Sequence, residues 1–155
     1  MFSGAIQASM TLPPDDLNLE DKGFHVLIDM AKSGVPTNDD CLVAQGAWLA
    51  GHHAEAQKYV DSIVQVIARL KKDKQFAFDV YKKYLKLDDP RLLESAYQSS
   101  MVETTPALPF PKPEQFTDSV DTLAKQNPKA KTFDLNAFLD PSFVQSAADR
   151  GLDKS

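Results

Sequence analysis

The sequence predicts a mixed α/β protein that is mainly helical, and two observations lead to this prediction. Short apolar runs that fit strands lie near the N-terminus, at Gly4–Met10, Phe24–Asp29 and Cys41–Ala44. From Ala54 to Leu85, by contrast, apolar residues recur at three- and four-residue steps, the spacing of one face of a helix. The strands are therefore expected at the start of the chain and the helices after them.

Length and composition indicate one ordinary globular domain. The chain has 155 residues, of which 43% are hydrophobic and 25% are charged, and its net charge is −5. Its only basic cluster is Arg69–Lys74, at a predicted helix end, so a nucleic-acid partner is not expected. Cys41 is the only cysteine, which rules out an intrachain disulfide and a Cys-based metal site.

The N-terminal stretch fits a strand–helix–strand unit. Pro14 suits the first turn of a helix that runs to about Lys22, and Gly23 is a natural C-terminal stop. The run Phe24–Asp29 is apolar nearly throughout, so we expect a strand that is buried on both faces. With the strand at Gly4–Met10, these elements make a small parallel crossover unit.

A polar loop and further short elements follow. Ser33–Asp40 is rich in Gly, Pro, Asn and Asp, which indicates a loop. We expect Cys41–Ala44 to form a third strand and Ala47–Ala50 to be helical. Gly51 and His52 mark a break before the long helical region.

The strongest pattern is a pair of amphipathic helices within Ala54–Leu85. The polar run Lys71–Lys74 separates them, and two such helices joined by a short turn form a helical hairpin. The apolar face of this hairpin needs an apolar surface to cover it.

Proline residues indicate where helices and connections begin in the rest of the chain. Asp89-Pro90 predicts a helix start with the aspartate as N-cap, and this helix runs to about Met101. Thr104–Pro113 is rich in proline and is expected to be an extended connection. Another helix is predicted over Pro113–Gln126, and Asp140-Pro141 predicts the start of the last helix.

An ordered series of short motifs runs along nearly the whole chain. Its members are Gly4–Ala8, Leu12–Pro14, Gly23–Asp29, Ala54–Ala56, Tyr81–Leu85, Asp88–Pro90 and Asp140–Val144. Taken in order, the series resembles bacterial solute-binding proteins of ABC importers, in the branch for nitrate, sulfonates, taurine and pyrimidine precursors. No single motif is diagnostic of that family, and the order of the motifs carries the resemblance.

The resemblance implies a partial type II periplasmic-binding-protein-like fold within one compact unit. Residues 1–45 would be the end of one α/β lobe with the crossing segment near Val35–Ala44, and residues 46–155 would be the C-terminal helical region. It also implies that the chain is the C-terminal portion of a longer protein whose partner is an ABC-transporter permease. Two departures from the family lie near the implied ligand cleft: Gln7 replaces an acidic residue, and Met10-Thr11 replaces a Leu-Ser pair.

The expected function is a substrate-binding component of an ABC transporter, or a fragment of one. Its ligand would be a small anionic or polar organic solute, such as a sulfonate, nitrate or a pyrimidine precursor. The alternative is a non-catalytic helical interaction or oligomerisation module that has lost ligand binding. Such a module would form homo-oligomers through exposed helix faces, because an uncovered apolar face on Ala54–Leu85 should self-associate.

Ligand contacts are expected from Thr11, Leu12 and Asn38. They lie in the loops Thr11–Pro14 and Pro36–Asp39, each next to a predicted strand end, where α/β sheets place ligands. The amide groups at the start of the helix after these prolines would suit an anion. The alternative is that the helix caps of the chain itself satisfy those amides.

No catalytic residue, metal site or cofactor is predicted, and the chain is not expected to be an enzyme. His52-His53 beside Glu55 lacks the helical spacing of a zinc site, so these are interpreted as polar residues at a helix start. His25 is expected to be a core histidine and Cys41 a buried thiol. The sequence contains no Gly-rich phosphate loop and no nucleophile elbow.

The start of the chain has neither a basic segment nor a long apolar segment, so no signal peptide is predicted. As written, the chain would stay in the cytoplasm. The resemblance implies a periplasmic or extracytoplasmic location instead. No apolar run approaches the roughly 18 residues that a membrane span needs.

Overall fold

Helices make up all the regular structure in residues 1, 3–34 and 40–154, which the computed structural model describes. Within these residues no strand and no sheet forms. The prediction of an α/β, partial periplasmic-binding-protein-like fold is therefore wrong. The α-helices are α1 Asp15–Glu20, α2 Gly46–Gly51, α3 His53–Lys72, α4 Lys74–Leu85, α5 Pro90–Tyr97, α6 Thr117–Ala124, α7 Leu135–Phe138 and α8 Ser142–Asp149.

Other helical turns extend this set. A π-helix follows α5 directly, and three 3₁₀-helices occupy the C-terminal part of the described chain. The π-helix is Gln98–Thr104, and the 3₁₀-helices are Pro113–Phe116, Pro128–Thr132 and Leu152–Lys154.

The three predicted strands are irregular backbone in the structure. Residues 24–29 form no ladder hydrogen bonds; Phe24 is half-buried, while Val26, Leu27 and Ile28 are exposed, with Leu27 at 81%. Gly4–Met10 and Cys41–Ala44 are likewise exposed and without regular structure. A strand is stabilised by its cross-strand neighbours, and within the described residues none of these runs has one.

The helices near the N-terminus agree with the sequence. The helix predicted to begin at Pro14 forms as α1, and Gly23 ends the following turn with φ +85°, a conformation that favours glycine. The helix predicted at Ala47–Ala50 forms as α2. The break predicted at Gly51 and His52 falls at His52, which lies between α2 and α3.

The two long helices of the predicted hairpin also form, with Asp73 between them. The Asp73 carboxylate accepts a hydrogen bond from the Phe76 amide at 3.0 Å, which caps the start of α4. The break therefore lies inside the polar run Lys71–Lys74 that predicts it. The apolar face of α4 packs against α5.

The chain divides into two compact units, and each is built from separate stretches. The first unit comprises Met1–Ser33 and Leu70–Thr105, and the second comprises Gly34–Arg69 and Pro106–Ser155. The boundary between them falls near the end of α3. The predicted division near residue 45 stays a prediction.

The core of the first unit lies between α4 and α5. Its buried side chains are Ala77, Tyr81, Leu93, Ala96 and Tyr97. The Tyr81 hydroxyl lies 2.8 Å from the Ser100 hydroxyl, which in turn donates to the Ala96 carbonyl at 2.5 Å. Apolar burial and satisfied hydroxyl groups together hold α4 against α5.

The helix predicted from Asp89-Pro90 begins as expected and ends differently. The Asp89 carboxylate caps α5 by accepting from the Arg91 amide at 2.8 Å, and Pro90 is the first helical residue. The helix then widens into the π-helix, where the Thr104 hydroxyl donates to the Ser99 carbonyl at 2.8 Å. The side chain thereby satisfies a carbonyl at the end of the helix.

In the second unit, a row of side chains joins α3 to α8. The His53 and Phe143 rings stack with centroids 4.6 Å apart, and the Gln57 amide donates to the Phe143 carbonyl at 2.9 Å. One turn further on, Arg150 donates to Asp61 at 2.7 Å. These α3 residues are spaced by four, so they form one continuous stripe along the helix.

Candidate functional site

A surface hollow beside α1, in the first unit, is the candidate functional site. Its volume is about 510 Å³, which lies within the range of small-ligand sites. Apolar side chains from Met1, Ile6, Met10 and Leu19 line part of it. The polar lining comes from Ser9, Thr11, Asp15, Asn18 and Lys22.

Local backbone hydrogen bonds position the polar side of the hollow. The Asp15 amide donates to the Leu12 carbonyl at 3.0 Å, which closes a turn over the two prolines before α1. The Phe24 amide donates to the Leu19 carbonyl at 3.1 Å and folds the chain back after α1. Thr11 and Asn18 are thereby brought to the same hollow although seven positions separate them in sequence.

An ion pair ties this region to the core helices of the first unit. The Arg91 guanidinium, in the first turn of α5, donates to Asp21 Oδ1 at 2.9 Å and to Asp21 Oδ2. These hydrogen bonds hold the pKa of Asp21 below its ordinary value. Because both side chains are about half exposed, solvent screens the pair, so it orients α1 more than it stabilises the fold.

The charges around the hollow are mixed. Asp15 and Asp16 are both in the first turn of α1, where they complement the positive end of the helix. They also repel an anion at that end, and the Asp15 amide already donates its hydrogen bond to the Leu12 carbonyl. Lys22 is the basic residue on the described lining, so one basic and one acidic side chain border the hollow.

The two described residues that were predicted to contact a ligand, Thr11 and Leu12, differ in their position relative to the hollow. Thr11 lines the hollow. Leu12 is adjacent in sequence but is not part of the lining, and it is 77% exposed. Asn38, with the rest of the loop Pro36–Asp39, lies outside the described residues. Of the two described residues in this set, Thr11 lies in the candidate site and Leu12 does not.

Sequence reasoning missed Asn18 and Lys22. A usable signal existed, because Asp15, Asn18 and Lys22 are spaced by three and four residues and therefore share one side of a helical segment. The prediction gave weight to strand ends instead, and those strands do not form in the described chain.

The other residues that could bind a metal or take part in catalysis either make local structural contacts or are exposed. The His52 ring stacks on Trp48 at 4.7 Å between centroids, and its Nδ1 lies 2.9 Å from the Trp48 carbonyl oxygen. His25 and Cys41 are exposed, so the predictions of a core histidine and a buried thiol are wrong. Within the described ranges, no group of three or more His, Cys, Asp or Glu side chains is arranged to hold a metal ion.

A second surface hollow lies along a single face of α6. Its lining includes Asp118, Ser119, Thr122, Leu123 and Gln126. These residues follow the three- and four-residue spacing of one helix face. Among the described residues, no second element contributes to this lining, so it makes a weaker candidate than the hollow beside α1.

Comparison with known proteins adds no family assignment. No protein-family model, no curated protein and no solved structure matches this chain. In the part of the chain that the structure describes, no helix combines the length and the apolar composition needed to cross a membrane.

Proposed function

We propose that this chain is a non-catalytic solute-binding protein, or part of one, that serves an ABC importer and takes its solute at the hollow beside α1. The ordered resemblance to the nitrate, sulfonate, taurine and pyrimidine-precursor branch motivates the proposal. The observation that carries it is the convergence of Thr11 with Asn18 and Lys22 on one hollow of about 510 Å³.

The lining favours a particular kind of solute. Hydroxyl and amide groups from Thr11 and Asn18 can hydrogen-bond a small polar molecule, and the Lys22 ammonium can pair with a sulfonate or carboxylate. Asp15 opposes a purely anionic ligand and favours one that also carries an ammonium group. Among the solutes of the resembling family, taurine has both charges.

A panel of solutes tests this proposal. Taurine, an alkanesulfonate, nitrate and a hydroxymethylpyrimidine would each be added to the purified chain while its thermal unfolding is followed. A ligand that binds only the folded state stabilises it by about 2.7 kcal/mol at a hundredfold excess over Kd. We expect taurine to raise the melting temperature in a saturable way and more than nitrate does.

Matched variants locate the binding site. Lys22→Met removes the cation from the hollow and is expected to weaken taurine binding by about tenfold. Lys125→Met removes an exposed lysine from the second unit and serves as the control. A panel in which no solute raises the melting temperature would contradict the proposal, as would an equal loss of binding in both variants.

An exposed stripe on α3 favours a second candidate function, a helical interaction module. Tyr59, Ile63 and Val66 are spaced by four and three residues and are exposed, while Val64 and Ile67 on the adjoining side are buried. Exposed apolar side chains that share one helix face can bind the helix of a partner or of a second copy.

Sedimentation equilibrium tests the interaction module. Under this candidate function the chain self-associates, and Val66→Glu reduces the association, whereas Gln65→Glu on another side of α3 leaves it unchanged. A monomer across the whole concentration range would contradict self-association through α3.

A further inference from the structure

A lysine side chain of the first unit occupies a small cation site built from two helices. The Lys74 ammonium lies 5.3 Å from the ring centroid of Tyr97 and 5.5 Å from that of Phe78. Glu94 pairs with the same ammonium at 2.6 Å. The two rings stand nearly perpendicular, at 86°, with centroids 6.0 Å apart, so they border the cation on two sides.

The walls of this site are held independently of the lysine. Phe78 lies on α4, and Glu94 and Tyr97 are three residues apart on α5, which packs against α4 through the core of the first unit. The Tyr97 ring is only 7% exposed, and its hydroxyl donates to the Lys71 carbonyl at 3.1 Å. Glu94 is also held by the Gln98 amide at 3.0 Å. The site is therefore preorganised on rigid elements.

The Lys74 side chain is held in this position only weakly. Its side chain is 44% exposed, and the exposed ion pair with Glu94 contributes little to stability. Lys74 is also the first residue of α4, where a cation opposes the positive end of the helix dipole. The hydrogen bond from Lys74 lowers the pKa of Glu94, which keeps the carboxylate charged.

Aromatic faces and a carboxylate are the groups that recognise quaternary ammonium ions. A lysine ammonium is compact and strongly hydrated, whereas a quaternary ammonium has no N–H to hydrate and presents methyl groups to the rings. The methyl groups of such a ligand can contact the ring faces directly, which the Lys74 ammonium does not do.

We propose that Phe78, Glu94 and Tyr97 form a binding site for a small quaternary ammonium compound, and that Lys74 occupies the site until such a ligand displaces it. This site is separate from the hollow beside α1 and does not depend on the proposed solute-binding function. Its ligand carries a trimethylammonium group, as choline does.

Titration with choline, followed by NMR of the aromatic ring protons, tests the proposal. In the wild-type chain we expect saturable shifts of the Phe78 and Tyr97 ring signals. Lys74→Ala removes the competing cation and is expected to bind choline about tenfold more tightly than the wild-type chain. Lys82→Ala, at an exposed lysine of the same helix, is the matched control and leaves the affinity unchanged.

Further variants separate the contributions of charge and ring. Glu94→Gln and Phe78→Leu should each weaken choline binding to Lys74→Ala, whereas Tyr97→Phe keeps the ring and should preserve it. The neutral isostere 3,3-dimethyl-1-butanol has the shape of choline without its charge and is expected not to bind. Equal responses to choline and to this alcohol would overturn the proposal, as would the absence of ring shifts in both wild type and Lys74→Ala.

Two sources of the ligand are distinguished by a second measurement. Choline tests a free solute, and phosphatidylcholine vesicles in a co-sedimentation assay test a lipid headgroup. We expect binding of free choline without capture on vesicles. Capture on vesicles without any response to choline would overturn the assignment to a small free compound.

Discussion

Residues 24–29 and helix α5 are both short and rich in apolar side chains, yet their surroundings are opposite. In the first segment Leu27 is 81% exposed, whereas Leu93 on α5 is 2% exposed. Both belong to the first unit. The difference lies in their neighbours, because α5 packs against α4 through a buried core, while residues 24–29 have no neighbouring strand within the described chain.

This contrast shows that local hydrophobicity does not determine burial. Helix α5 satisfies its backbone internally, begins with an Asp89 cap and presents its apolar side chains at helical spacing. A strand needs a partner for its backbone as well as for its side chains. A similar apolar content therefore stabilises helix α5 but does not produce a strand at residues 24–29.

The largest expected effect comes from shortening the two leucines that define the contrast. Leu93→Ala leaves a cavity in the core and should lower the free energy of unfolding by about 2–5 kcal/mol. Leu27→Ala should change it by no more than about 0.5 kcal/mol. Urea denaturation of both variants measures this, and a similar cost for the two would show that Leu27 is buried in solution.

Removing the N-cap of α5 should have an intermediate effect. Asp89→Ala leaves the Arg91 amide without its acceptor and should cost about 1 kcal/mol of unfolding free energy. Asp88→Ala, one residue earlier, removes an exposed carboxylate that does not cap the helix and provides the control. If the two variants melt at the same temperature, the cap contributes nothing to the stability of α5.

The smallest expected effect concerns the α3–α8 stripe in the second unit. Hydrogen bonds from Arg150 hold the pKa of Asp61 below its ordinary value, and the Asp61 side chain is only 17% exposed. Since the folded pKa is the lower one, the stabilisation is complete above the unfolded pKa of about 3.9 and is lost as pH falls through the folded value.

Denaturation between about pH 5 and pH 2 measures this contribution. The wild-type chain should lose unfolding free energy over this range, and Asp61→Asn should show a shallower loss. Asp121→Asn, at an exposed position of α6, should keep the wild-type slope. A slope that Asp61→Asn leaves unchanged would show that the ion pair does not contribute to acid sensitivity.

The helical part of the fold was predictable because its signals are local. The Asp89-Pro90 start, the break at Lys71–Lys74 and the α2 helix all follow from caps, turns and periodicity. The absence of strands was not predictable, because short apolar runs fit strands and irregular segments equally well until a partner strand is known. The α/β prediction failed for this reason.

The candidate site was predictable only in part. Thr11, which the sequence suggests as a ligand contact, lines the hollow, and its contact with a ligand stays a prediction. Asn18 and Lys22 escaped notice because polar residues on a short exposed helix are ordinarily solvated. The grouping of Lys74 with Phe78 and two α5 residues depends on how α4 meets α5, which the sequence does not specify.

An NMR titration of the wild-type chain with taurine tests the proposed solute binding most directly. The account predicts saturable shifts of the backbone amide signals from Ser9 to Lys22, while the signals of α6 and α8 stay in place. Lys22→Met should need about ten times more taurine for half-saturation. The absence of any saturable shift, or shifts confined to residues away from the hollow, would contradict the account.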